Sequence, residues 1–373
     1  MSFKNYFAFF LVLSSLFVFS SHGQEPIVSA EHAILIEADS GTVLFEKNGR
    51  EQAPMASTTK IMTALLAIES GDLSRMVTVS PEAVGIEGSS IYLKAEEVLR
   101  MEELVYAVML QSANDAAAAI ALELSGSIEA FAERMNQKAQ ELGLYDTHFT
   151  NPHGLDDAEH YTSAHDLARL AAYALKNPKF AEVVSTVKKV IPLSETEGSR
   201  VLVNHNRLLR SYPDVIGVKT GFTKKSGRCL VSAAEKNGIR VIAVTLNAPD
   251  DWNDHREMLD YGFDSLEIRE IAAIGDYTLE VNCAGGTKET ILASNSTALS
   301  LILKKDDAME IRAVNELPHF IFAPVRRGEK LGEIVFYAGD RVLGAVDMVA
   351  EESVAPAVEN GGILNKIKSF FAA

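Results

Sequence analysis

Cysteine is nearly absent: Cys229 and Cys283 are the only two in 373 residues. Two cysteines cannot build a disulfide framework. They lie in segments of different texture, so each reads as a buried, reduced thiol that packs as a small hydrophobe. Metal-ligand spacing is missing too. The nine histidines are scattered, with no HExxH and no CxxC, so neither a metal nor a cofactor is expected. Positive charge is in short supply: 35 Lys and Arg face 51 Asp and Glu, a net charge of −16. A surface that acidic repels phosphate backbones, which argues against nucleic acid as a partner. What remains is an ordinary globular composition, 47% hydrophobic and 23% charged, long enough for about two domains.

The first 23 residues read as a secretory signal peptide. Lys4 is a lone positive charge, Tyr6 to Phe19 is apolar except for Ser14 and Ser15, and Ser21-His22-Gly23 is small at both outer positions. The apolar stretch falls short of the roughly 20 residues a membrane span needs. Cleavage near Gly23-Gln24 removes Lys4 and no acid, which takes the charge from −16 to −17. The expected location is extracytoplasmic, in a periplasm or on the outer face of the cytoplasmic membrane.

Residues 24–265 are expected to form one domain. Ala33 to Phe45 reads as a hairpin with turn chemistry at Asp39-Ser40-Gly41. From Ser57 the apolar period becomes helical through Ile61, Met62, Leu65, Leu66 and Ile68, and Gly71 stops it. Met101 to Leu124 is one long helix or two short ones. Ile128 to Leu142 and Ala164 to Leu175 are further helices. Strands are expected at 183–191, 215–219, 229–233 and 239–246, followed by a closing helix at 254–263. Strands, a block of helices, then strands again imply an α+β layer sandwich with an antiparallel sheet.

Residues 266–350 have short apolar runs between turn signals such as Gly275-Asp276 and Arg327-Gly328, the pattern of a small all-β domain. Residues 351–362 are acidic and contain Pro356 and Gly361-Gly362, a linker pattern. In residues 363–373, Ile363, Leu364, Ile367, Phe370 and Phe371 fall within about one third of a helix circumference, with Lys366 and Lys368 outside it. This predicts an amphipathic helix that attaches the protein peripherally to a membrane surface.

Three short motifs carry the chemistry. In Ser57-Thr58-Thr59-Lys60, a helix brings residues i and i+3 onto one face, so the amine reaches the hydroxyl. A desolvated Lys60 beside a second cation becomes a base toward Ser57. A second copy, Ser185 to Lys188, falls in a β-branched stretch read as a strand, where i and i+3 face opposite sides, and is set aside as structural. Ser112-Ala113-Asn114 supplies a hydroxyl for proton relay and an amide to hold a substrate backbone. Lys219-Thr220-Gly221 follows an apolar strand and suits a carboxylate lying close to the backbone. Lys225-Ser226-Gly227 has no strand leading into it and reads as a turn.

In this order the motifs match those of penicillin-binding proteins and class A β-lactamases. With Gln111 to Ala116, Asn151-Pro152-His153-Gly154-Leu155-Asp156, Ile216 to Thr223 and Tyr261-Gly262-Phe263, the chain resembles the low-molecular-mass penicillin-binding proteins, the serine D-Ala-D-Ala carboxypeptidases. The resemblance covers nearly the whole mature chain. It departs at Ala113, where family members commonly have glycine. It implies the serine penicillin-recognising (β-lactamase/transpeptidase-like) fold, stem peptides ending in D-Ala-D-Ala as substrate and β-lactam antibiotics as covalent inhibitors. It assigns Ser57 as nucleophile, Lys60 as its base and Ser112 as proton relay. Asn114 would hold the acyl side, Lys219 and Thr220 the terminal carboxylate, and the amides of Ser57 and Phe222 would form the oxyanion hole, with Gly221 beside them. His153 and Asp156 are expected to brace the site floor, and Arg256 is a candidate for neutralising the carboxylate.

Other readings use the same residues. A class A β-lactamase needs a Glu-x-x-x-Asn arrangement, and between Asn114 and Lys219 no glutamate has an asparagine four residues on. An endopeptidase or transpeptidase would share the whole set. A non-catalytic wall-binding protein would have no use for an intact one.

Overall fold

The computed structural model describes residues 24–193 and 198–357. The signal peptide and the amphipathic segment 363–373 read from the sequence lie outside the described residues.

The first layer is a five-stranded antiparallel sheet. Its strands are β1 (His32–Glu37), β2 (Val43–Lys47), β3 (Val215–Thr223), β4 (Gly227–Lys236) and β5 (Ile239–Leu246), in the order β2-β1-β5-β4-β3. The central strands read as continuous apolar runs because both faces are covered. Alternation sends Ile34, Ile36, Ile242 and Val244 into a core shared with the helices on one face. It sends Leu35, Val241 and Ala243 into a second core under helix α7 (Asp251–Ser265), where Met258 and Leu259 meet them.

The helical layer contains α1 (Lys60–Glu69), α2 (Met101–Leu110), α3 (Asn114–Ser125), α4 (Ile128–Glu141), α5 (Ala164–Leu175) and α6 (Pro178–Ser185). In α1 every residue from Lys60 to Ile68 is buried, so it is the central helix and reads apolar all round. The stretch 101–124 is two helices, and the Ser112 motif occupies the break. The strand expected at 183–191 is corrected. Pro178 starts α6, the Asn177 side chain caps it by accepting from Lys179 and Phe180, and the strand itself is Lys188–Pro192. Burial of Val183 and Val184 overrides their β-branched preference. The second Ser-x-x-Lys copy therefore straddles a helix end; the Ser185 hydroxyl is bonded to the carbonyls of Ala181 and Glu182.

Helix α7 ends at Ser265, and Leu266 begins strand β6 (Leu266–Ala272). Strands β7 (Thr278–Ala284), β8 (Thr290–Asn295), β9 (Leu299–Lys304), β10 (Arg312–Asn315), β11 (Phe320–Phe322), β12 (Lys330–Ala338) and β13 (Arg341–Ala350) follow. β6 and β9 form a two-stranded ribbon, and the others make a six-stranded sheet ordered β10-β12-β13-β8-β7-β11. This unit has its own core around Val281, Ile291, Phe336 and Met348. It also contradicts part of the expected linker. Val354 is buried and pairs with Val325, Pro356 pairs with Gly286, and Ala357 donates to the Gly285 carbonyl. The acidic composition of 351–357 concealed one buried valine and a backbone that still has partners. Cys229 and Cys283 are free, buried thiols in separate cores.

Asp254 ties the start of the described chain to α7. Its buried carboxylate accepts from the Ser29 amide at 2.8 Å, the Ser29 hydroxyl at 2.8 Å and the Ala30 amide at 3.0 Å. Asp254→Ala would leave two backbone amides without partners, at roughly 1–3 kcal/mol each. The expected loss is about 2–4 kcal/mol of stability, read by urea unfolding with Trp252 as the fluorophore. A change below about 0.5 kcal/mol would show that water replaces the latch.

Candidate active site

Ser57 lies in a 3-10 turn, Ala56–Thr59, that runs directly into α1. The turn is built under constraint. Ala56 has a positive φ of 47°. Gly154, at φ +86°, lies so close that a Cβ there would stand 1.9 Å from the Ala56 carbonyl oxygen, so only glycine fits. The hydroxyls of Thr58 and Thr59 donate back to the Met55 and Ala56 carbonyls at 2.6 and 2.8 Å. Thr59 is held in turn by His160. The Thr150 amide donates to His160 Nδ1 at 3.0 Å, so the ring proton is on Nε2, which reaches Thr59 Oγ1 at 2.8 Å. Burial holds His160 neutral, with its pKa down to about 4.

Lys60 is fully buried one turn below the nucleophile. Its Nζ is 2.9 Å from Ser57 Oγ, 2.7 Å from Asn114 Oδ1 and 2.5 Å from the His153 carbonyl. Burial, reinforced by the charge of Lys219 and partly opposed by Asp115, holds its pKa well below the ordinary lysine value. A neutral amine has two protons and one lone pair. Asn114 Oδ1 and the His153 carbonyl can only accept, so they take the two protons. The lone pair is left facing the Ser57 hydroxyl, the arrangement a general base requires.

Lys219 enters from the sheet. Its Nζ lies 3.1 Å from Ser112 Oγ and 2.7 Å from the Thr220 carbonyl, and burial lowers its pKa to about 7. Ser112 has a φ of +59° between α2 and α3. That turn directs its hydroxyl into the cleft, and Asn114 follows as the first residue of α3. The Lys-Thr-Gly run does not end its strand as expected; β3 continues to Thr223. Gly221 is needed chiefly for the protein's own packing, because a Cβ there would lie 3.0 Å from the Ser57 amide nitrogen.

A cleft of about 470 Å³ opens over these residues, lined by Ser57, Ser112, Thr220, Gly221 and the exposed Phe222. Asn114 is turned away from it: besides Lys60, it donates through Nδ2 to the Glu87 carbonyl. His153 contributes its carbonyl to Lys60; burial, then the nearby Lys60, lowers its imidazole pKa to about 3. Asp156 accepts from the Thr223 hydroxyl at 2.9 Å and so joins the 151–156 loop to β3. Arg256 is not in the cleft. It donates to Ser211 Oγ at 2.8 Å and lines a neighbouring recess.

The far wall of the cleft has residues the motifs did not indicate, among them His205, Arg207, Arg210 and Arg228. Arg228 is paired with buried Asp251 at 2.9 Å. Asp115 was also missed, although it adjoins Asn114. It accepts from Ser90 Oγ at 2.6 Å and the Leu93 amide at 2.9 Å, securing the loop that supplies the Glu87 carbonyl. Thr59 and His160 gave no signal, because one is a motif filler and the other lies 101 residues away.

A serine hydroxyl 2.9 Å from a fully buried lysine whose pKa is held low, with a second buried lysine on the neighbouring strand, is an arrangement suited to serine acyl transfer on an antiparallel α+β scaffold. Residues 20–250 match the family described as D-alanyl-D-alanine carboxypeptidase, and residues 267–356 match the penicillin-binding protein 5 C-terminal domain. The D-alanyl-D-alanine carboxypeptidase DacF of Bacillus subtilis is 36% identical over 337 residues, covering 88% of this chain and 86% of its own. DacC of Escherichia coli, of the same description, is 30% identical over 378 residues, covering 97% and 92%. Among solved structures, the regulatory factor PBP3 of Streptococcus pneumoniae superposes with a TM-score of 0.73 at 26% identity, over 88% of this chain and 100% of its own. Penicillin binding protein 5 of Haemophilus influenzae gives 0.67 at 27%, over 89% and 99%. The chain belongs to the D-alanyl-D-alanine carboxypeptidase family.

The His160–Thr59 contact holds the nucleophile's turn without touching the cleft. His160→Leu should slow acylation of Ser57 by a reporter β-lactam about tenfold or more, roughly 1.4 kcal/mol. His160→Gln, which keeps a donor near the Nε2 position, should recover most of the rate. Stopped-flow labelling measures both, and equal rates for the two variants would exclude this role.

Proposed function

We propose that this protein is a serine D-Ala-D-Ala carboxypeptidase that removes the terminal D-alanine from peptidoglycan stem peptides through an acyl-enzyme. The observation that carries this reading is the buried Lys60 Nζ, 2.9 Å from Ser57 Oγ, with two groups that can only accept as its other partners. Ser57 Oγ attacks the carbonyl of the penultimate D-Ala while Lys60 takes its proton. The oxyanion forms against the amides of Ser57 and Phe222, at the start of α1 where helix amides favour negative charge. Ser112 passes a proton to the departing amine, supplied by Lys60 or by Lys219, which it already contacts. Lys219 and Thr220 hold the terminal carboxylate. Asn114 would exchange its bond to Lys60 or to Glu87 for the acyl-side amide. Water then releases the shortened peptide. The same Ser57 is the atom that β-lactams would trap.

The enzyme acts on the cell wall outside the cytoplasm. In this reading the first 23 residues are its export signal and residues 363–373 attach it to the membrane surface. Among the described residues no helix is long and apolar enough to cross a membrane. The attachment proposed for residues 363–373 is interfacial because the segment is far shorter than the roughly 20 residues a span needs.

Labelled penicillin should bind covalently to Ser57, and Ser57→Ala should abolish both labelling and D-alanine release from a D-Ala-D-Ala peptide. An adduct mapped by mass spectrometry to another serine, or a folded wild-type protein releasing no D-alanine, would refute the function.

Lys219 gives a pH signature. With a pKa of about 7 in the empty cleft it is cationic below that pH and neutral above it. The kcat/KM advantage of a free-carboxylate peptide over its C-terminal amide reports the free enzyme. That advantage should be largest below pH 7 and fall as pH rises through it. A ratio constant from pH 5 to pH 9 would remove Lys219 from the carboxylate site.

A further inference from the structure

The small domain has a near end and a far end relative to the catalytic cleft. The β6/β9 ribbon begins at the Leu266–Lys304 pair beside α7 and finishes at the Ala272–Leu299 pair. From there the chain enters β7 at Thr278 and has left β8 at Asn295, so the Thr278–Ser294 end of the sheet is the near one. Ala284, Thr290 and Phe322 mark the opposite end.

That far end carries an aromatic pair. β11 is the edge strand and pairs only with β7, through Asn282–Phe320 and Ala284–Phe322. Alternation turns Ile321 toward the core and puts Phe320 and Phe322 together on the outer side. They are 53% and 71% exposed, with ring centroids 5.3 Å apart in an edge-to-face arrangement. Among the described residues the only other phenylalanine so exposed is Phe222, which lines the catalytic cleft. Exposed paired aromatics of this kind mark an interaction surface.

The chain also leaves the domain at this end. Ala357 bonds to Gly285, the neighbour of Ala284, which in turn faces Phe322. Sixteen residues follow, and the segment 363–373 begins at Ile363, six positions on, a reach of at most about 20 Å. Cations here are answered by acids: Lys288 pairs with Glu352, and Arg326 and Arg327 share the corner with Glu329 and Glu351. The patch is therefore apolar in character, without net positive charge. Two rings on an edge strand are too small a surface to cover the five large side chains of the segment 363–373. A lipid interface can take both side by side.

We propose that Phe320 and Phe322 form a second lipid contact that enters the headgroup region beside the C-terminal segment. The small domain then stands on the membrane by its far end, and the cleft faces away from the bilayer. This rests on the membrane attachment proposed for residues 363–373.

The test uses the signal-cleaved chain, 24–373, and vesicles of phosphatidylcholine and phosphatidylglycerol. F320S/F322S should lower the partition coefficient about tenfold with the thermal midpoint and D-alanine release unchanged, and added salt should change the ratio little. In F320W the indole emission should shift to the blue on vesicles and be quenched by brominated lipid. Vesicle binding by F320W with no change in its emission would overturn the second contact while leaving the tail as anchor. An emission already blue-shifted without lipid, and red-shifted on truncation after Gly362, would overturn it in favour of the tail docked on the pair. Failure of the wild-type chain to sediment with vesicles would overturn both the contact and the attachment it rests on.

Discussion

The structure depends on burying the Lys60 amine next to Ser57, where its charged form is disfavoured. An ammonium taken out of water costs several kcal/mol, and the protein imposes this by placing the residue at the buried start of its central helix. Lys219 makes protonation harder still, since a second cation would have to share the same low-dielectric site. Each partner of Lys60 comes from a different element: the turn before α1, the start of α3 and the 151–156 loop. Much of the fold converges on three contacts to one nitrogen.

The supporting packing follows from that convergence. The turn bearing Ser57 is held between Gly154 on one side and Gly221 on the other; at Gly154 the Ala56 backbone excludes a side chain, and at Gly221 a Cβ would crowd the Ser57 amide at 3.0 Å. Asp156 and Thr223 tie the loop to the strand, so the two glycine contacts are mutually aligned. His160 and Thr59 support the same turn from beneath. The nucleophile is thus placed by rigid elements, and its reacting groups need little reorganisation when acylation begins.

Several elements were legible in the sequence because their signals are local. The 3.6 period of α1, the helical stretch 101–124 and the apolar run of β5 each depend on neighbours within a few residues. The Ser57, Ser112 and Lys219 motifs could be found because each combines a reactive group with a spacing or a following glycine that few other stretches have. The misreadings have equally physical causes. Val183 and Val184 favour strands in isolation, but a capped helix start and burial outweigh that preference. Residues 351–357 look like a linker by composition, yet one buried valine and a few backbone bonds attach them to the small domain. Arg256 was a reasonable partner for a carboxylate, but its place on α7 directs it into the neighbouring recess.

By itself the sequence determined the class of fold, the order of the three motifs, and Ser57 and Lys60 as the candidate nucleophile and base, since these are written in short-range spacing. Only the tertiary structure decided that Asn114 and the His153 carbonyl accept from the Lys60 amine, that His153 meets it through its backbone, and that arginines from 207–228 rather than Arg256 line the cleft. These facts depend on groups tens of residues apart meeting within about 3 Å in a site from which water is excluded. Such distances and desolvation arise when the layers pack and leave no periodic trace in the chain.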